Sequence, residues 1–158
     1  MSFANNQVFG DDVTAVYATE VYPLGTERLV LGSQTGKGDQ VWIFVKTDGD
    51  LVAGDVLQRK LTSTNGNVSP SVGTGAVNAA SFAGVAAGTV TAATAPYCWI
   101  IKRGVVSAKS AAATADNFLV VGVTAKSVTT TSSATTASFG YAFAANSGGF
   151  VSCYISAL

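Results

Sequence analysis

The side chains of this chain that could do chemistry are few and far apart. Two carboxylates do acid–base work when their surroundings push their pKa values apart; Asp11-Asp12 stands in a polar stretch and reads instead as a solvated turn. Asp48-Gly49-Asp50 has the opening of a calcium loop, but the third acidic ligand and the distal glutamate do not follow. It too reads as a turn. Gly32-Ser33-Gln34-Thr35-Gly36-Lys37-Gly38 approaches a phosphate loop, in which backbone N–H groups ahead of a helix cradle an anion. It is one residue short between the glycines, and Gly38 stands where a hydroxyl should bind magnesium. Lys102-Arg103 follows an apolar run and marks its wet end, with an anionic partner as the alternative.

The chain has no histidine, which removes the Ser-His-Asp and Cys-His arrangements and the commonest metal ligand. Cys98 and Cys153 lie in separate strand-like runs and make no zinc site without histidines. They read as small buried hydrophobes, with a disulfide between neighbouring strands left open. No catalytic residue, metal site or cofactor is therefore expected. Nine basic and nine acidic residues balance, and the only basic clusters are the pairs Arg59-Lys60 and Lys102-Arg103. Nucleic acid is recognised mainly by clustered cations on phosphates, so it is not an expected partner.

Charged residues are 11% of the 158, against about 25% in ordinary soluble domains, and mean hydropathy is +0.38. Such a chain enters a membrane or is covered by partners. The most apolar region, Gly75 to Ile101, is broken by Asn78, Ser81 and Pro96, and no run of about 18 strongly apolar residues exists. Met1-Ser2-Phe3-Ala4-Asn5-Asn6 has neither the basic start nor the apolar core of a secretory leader. The expectation is assembly, without a membrane.

The positioning elements are strands. Apolar residues do not recur at helical spacing over any long window, while Val, Thr, Ile and aromatic runs alternate with Gly, Asn, Asp and Ser. Two runs, Val41-Trp42-Ile43-Phe44-Val45-Lys46 and Tyr97-Cys98-Trp99-Ile100-Ile101-Lys102, are apolar at both alternating sets of positions. A strand with one wet face alternates; these predict burial on both sides, between sheets or between subunits. Trp42, Phe44, Trp99 and Ile101 are the expected core or interface anchors. Phe118 to Val123 is a further strand apolar on both faces, and Val151, Cys153 and Ile155 alternate with Ser152, Tyr154 and Ser156. Phe139, Tyr141 and Phe143 are expected on one face. Asp48-Gly49 is a hairpin signal, Thr62 to Thr74 and Ser127 to Ser138 read as loops or an edge, Gly88 to Thr94 as a weak strand, and Gly104 as a strand end. The fold class is all-β: a β-sandwich or irregular jelly-roll-like barrel of short antiparallel strands. Residues 1–22 form an extended N-terminal arm, and 23–158 a single β domain.

Taken in order, several short motifs form a pattern. A Pro23-Leu24-Gly25-Thr26 corner precedes the strand Trp42 to Lys46 and the turn Val52-Ala53-Gly54-Asp55-Val56. Gly84-Val85-Ala86, Ala87-Gly88-Thr89 and Tyr97 to Gly104 follow, and then Gly140-Tyr141-Ala142 and Gly148 to Ile155. From residue 22 to 156 this resembles bacteriophage head decoration, or cement, proteins. Cys98 departs from the small residue usual before the tryptophan, and the section from Thr62 to Ala80 is short. The resemblance implies a non-enzymatic protein on the outer capsid surface of a virion, made in the cytoplasm of a bacterial host. Its implied partners are the major capsid protein and other copies of itself, in a homotrimer. The alternative is a receptor- or glycan-binding module of a phage tail or head fibre, with Tyr17, Tyr22, Tyr141 and Tyr154 as candidate sugar contacts.

Overall fold

A computed structural model describes residues 13–32, 36–60, 67–70, 81–122 and 124–157, with the backbone alone for 67–70. Asp11-Asp12, the first twelve residues of the expected arm, and Ser33 to Thr35 lie outside the described residues. The strands are β1 (Val16–Tyr17), β2 (Glu27–Val30), β3 (Gln40–Thr47), β4 (Val56–Arg59), β5 (Asn67–Pro70), β6 (Phe82–Ala86), β7 (Tyr97–Ala112), β8 (Phe118–Val121), β9 (Val128–Thr131), β10 (Gly140–Ala142) and β11 (Phe150–Ser156). The protein is all-β and its strands close into barrels.

One strand organises the rest. β7 runs for 16 residues, about 50 Å at strand rise, and belongs to two rings in succession. Its first half pairs with β3 on one side and β6 on the other; β3 pairs with β5, β5 with β4 and β4 with β6, which closes the first ring. Its second half pairs with β11 and β9; β11 pairs with β10, β10 with β8 and β8 with β9, which closes the second. Most pairings are antiparallel, but β3–β5 and β7–β9 are parallel.

The strand changes rings at Gly104. Arg103 faces Val41 of β3 on one side and Ser156 of β11 on the other, and Gly104 then pairs with Ile155. Its φ is +124°, and a Cβ there would come within 2.9 Å of Asp39 O and Gln40 Cγ. Only glycine fits, because the start of β3 crosses against the backbone. Gly104 thus bends the strand into the next ring, where the sequence alone suggested an end.

Both faces of the β3–β7 ribbon are buried, each in a different core. Val45, Cys98 and Ile100 point into the first ring with Leu51, Leu57, Ala83, Ala86 and Val90. Trp42, Phe44, Trp99 and Ile101 point out of it, into the larger core with Val56, Phe82 and Val85. That core continues through the second ring as Val106, Ala108, Leu119, Val121, Val128, Ala142, Val151, Cys153 and Ile155. The chain therefore covers its own doubly apolar strands. The two cysteines lie in different rings and are free and buried.

Other local expectations are corrected. β5 occupies part of Thr62 to Thr74, and β9, in the Ser/Thr run, is paired on both sides and is no edge. Between Gly88 and Thr94 there is a single bridge, Leu51 to Val90. Asp48-Gly49 joins no hairpin, since β3 and β4 each pair elsewhere; its neighbour Asp50 instead accepts the Ala92 N–H at 2.8 Å. β8 has one open face, with Phe118 exposed. Phe139 parts company with Tyr141 and Phe143 because β10 begins only at Gly140: its ring turns inward and stacks on Phe82 at 3.8 Å.

Two tests follow from these cores. Gly84 has φ +153°, and a Cβ there would strike the Ile101 carbonyl; Gly84→Ala should cost about 2–4 kcal/mol in urea unfolding. Burial pushes both thiols from their ordinary 9.0 up to about 12. Below pH 9 both folded and unfolded states keep the proton. Between 9 and 12 the unfolded state releases it first, so stability falls by about 1.4 kcal/mol per pH unit per thiol. Comparing wild type with Cys153→Ala across pH 8 to 11 should show a shallower decline in the variant.

Candidate interaction surfaces

The four anchors named from sequence form one patch. Phe44 faces Trp99 across the β3–β7 ladder, and Trp42 faces Ile101. All four are buried. Over them lies the described part of the expected arm. Tyr22 meets Phe44 edge-on at 5.3 Å and Trp99 at 5.4 Å, and Tyr17 meets Phe44 at 6.0 Å. Arg28 adds its guanidinium over the rings of Tyr22 and Trp99, at 4.7 and 4.8 Å. The Pro23–Thr26 corner aims this cover. Its Gly25 has φ +86° and donates its N–H to Phe44 O, Phe44 N–H donates to Thr26 O, and Thr26 closes the turn on Pro23 O. Positive φ at the third residue is what a type II turn demands of glycine.

A clamp that sequence reasoning missed joins the two rings. Asp55, fully buried, sits 2.5 Å from Lys109 Nζ and 3.4 Å from Lys126 Nζ, and accepts the Val52 N–H at 3.0 Å. Lys126 also donates to Asp50 O at 2.6 Å. Lys109 belongs to the second half of β7 and Lys126 to the turn between β8 and β9, so the 50–55 turn of the first ring is tied to the second. Phe150 packs over Gly54, where a Cβ would lie 2.7 Å from the ring. The only hint in the sequence was the Ala-Gly-Asp turn itself; its cations lie 54 and 71 positions later.

Beside this clamp a cleft of about 360 Å³ opens at the ring junction, lined by Trp42, Val85, Ile101, Val106 and Val13. Gln40, at its edge, accepts from Trp42 Nε1 and donates to Val105 O. The cleft is mostly apolar, with Thr14, Lys37 and Ser107 also in its lining, and its described residues include no acid–base pair. Among the described residues no group of metal-ligating side chains comes together.

The outer face of the second ring carries an aromatic row. Register places Phe118 of β8 beside Tyr141 of β10, Tyr141 beside Tyr154 of β11, and Tyr154 beside Val105 of β7. Tyr141 and Tyr154 stack at 5.5 Å, and Phe143 meets Tyr141 edge-on at 5.1 Å. Tyr141 and Phe143 are each 45% exposed, and Phe118 and Phe150 38%. Of the four tyrosines named as sugar contacts, Tyr17 and Tyr22 are thus packed on the core, while Tyr141 and Tyr154 share this row.

No family model matches the chain, and no curated protein matches it. Among solved structures it is similar to the N base of the head fibre protein gp8.5 of bacteriophage phi29, with a TM-score of 0.52 at 15% identity, covering 74% of this chain and 94% of that one. At that identity the likeness is one of fold.

The clamp is testable without a partner. Asp55→Asn leaves two cations without their counter-charge. It should cost about 2–4 kcal/mol in urea unfolding, somewhat below the usual range for a fully buried pair because both lysines reach water. Lys60→Ala, whose exposed partner is Asp48, should change stability by less than about 1 kcal/mol.

Proposed function

We propose that this chain is a non-enzymatic structural protein of a bacteriophage virion: a decoration protein that binds the outside of the capsid and stabilises contacts between major capsid subunits. The observation that carries the reading is the fold it shares with a phage head-fibre base, across 94% of that base. The low charge and the exposed aromatic row agree with a protein that works by covering area.

The physical task is plain. A shell filled with DNA fails by parting at the junctions between its subunits. A protein that buries apolar area across a junction resists this by about 25 cal/mol per Å², less the costs of association and ordering. Repetition over a symmetric shell adds avidity. Assembly as a homotrimer would multiply the contacts made by each bound unit.

The second reading, the base of a head fibre, is favoured by the same likeness. A glycan-binding role is less well supported. Sugars stack on open ring faces, whereas Tyr141 has Tyr154 against one face and Phe143 against it edge-on.

Quantitative mass spectrometry of purified virions separates the readings. A decoration protein should be present in hundreds of copies per particle. A handful of copies contradicts the proposal and moves the chain to a fibre or the tail.

A further inference from the structure

We infer that the aromatic row on the second ring is the surface that seats on the capsid, and that its occupant is an uncharged, apolar patch of the major capsid subunit. The inference rests on the decoration reading and deepens it by naming the face that binds.

The row is held rigidly. Phe118, Tyr141 and Tyr154 stand on β8, β10 and β11, each hydrogen-bonded within a closed ring. Phe143, just past β10, donates its N–H to Ser152 O, and the alternation of β11 sends Val151, Cys153 and Ile155 inward while Tyr154 stays out. Phe118, Tyr141 and Phe143 keep more than a third of their surface open, whereas Phe44 is fully buried beneath Tyr17 and Tyr22. The composition across the face is that of an interface core with a polar rim. Ser152 and Ser107 pair on one side of the row and Ser156 and Arg103 on the other, and Asp116 stands beyond Phe118.

Area decides between a second copy and the shell. At about 150–250 Å² per whole aromatic side chain, the fractions exposed on Phe118, Tyr141 and Phe143 leave roughly 200–300 Å² of ring surface open. That reaches only the lower end of the patches found on monomers, and is well under half of the ~800 Å² per partner that a stable pair buries. Such a patch does not hold two copies together by itself. It does suffice as one of several anchors on the proposed trimer, where linkage of the copies supplies avidity on a lattice of identical subunits. The small charge on the face fits a partner patch that is itself uncharged.

The test uses heads of the encoding phage assembled without this protein, and the full chain added back. Wild type should saturate them. Tyr141→Ser with Phe143→Ser should bind at least tenfold more weakly, with thermal unfolding within a few degrees of wild type. Leu29→Ser, which removes an exposed side chain on β2, outside the second ring, should bind as wild type. Phe118→Glu, on the neighbouring strand, should reproduce the loss and replaces the double variant if that does not fold. Heads that take up wild type and the double variant equally overturn the surface assignment alone. Heads that take up no wild type overturn the decoration reading, and the assignment with it. A double variant of smaller mass than wild type in light scattering makes the row a contact between copies and also overturns it.

Discussion

The structure depends on one constraint: the ribbon of β3 and β7 is apolar on both faces, and each face must leave water. A single sheet packed against one other layer would bury only one of them. The chain meets the constraint by closing a ring around one face and laying the corner, Tyr17 and Tyr22 over the other. Each large side chain so buried is worth about 1.5–3 kcal/mol, which makes the ribbon the strongest local source of stability. The remaining strands are short and take their places from it.

Carrying β7 beyond the ribbon creates the second ring. That extension needs a glycine where β3 crosses, and it needs the rings fixed to one another. Gly104 meets the first need by geometry. The Asp55 clamp meets the second with charge, in a protein that has little charge to use. A buried ion pair is weak evidence for net stability, because desolvation offsets attraction. Its worth here is directional, since Asp55 holds two lysines of the second ring against the 50–55 turn of the first.

The fold class was legible in the sequence because it rests on local pattern. The doubly apolar runs, the alternation of Val151, Cys153 and Ile155, and the Pro23–Thr26 corner all encode their own conformation within a few residues. What was not legible depends on pairing across the chain. Nothing in Val41–Lys46 says that its partner is Tyr97–Arg103, so the cover on the second face could equally be a subunit. Gly104 looks like a strand end until β3 is seen against it. Phe139 breaks the aromatic alternation because the strand starts one residue later. The clamp was hidden for the same reason, its members being separated in sequence. Tyr141 and Tyr154 were visible as candidates for contact, but their stacking, and the addition of Phe118 and Phe143, come from register.

The central claim is that the ribbon is buried on both faces by the chain itself, and this can be measured on the dilute, unassembled protein. Native-state amide hydrogen exchange resolves protection residue by residue. The amides of Val45 and of Cys98 to Ile101 should exchange only through global unfolding, with the same free energy as urea denaturation reports. Rapid exchange across Tyr97 to Arg103 that slows only on assembly would contradict the account, and would make the second face of the ribbon an intersubunit surface.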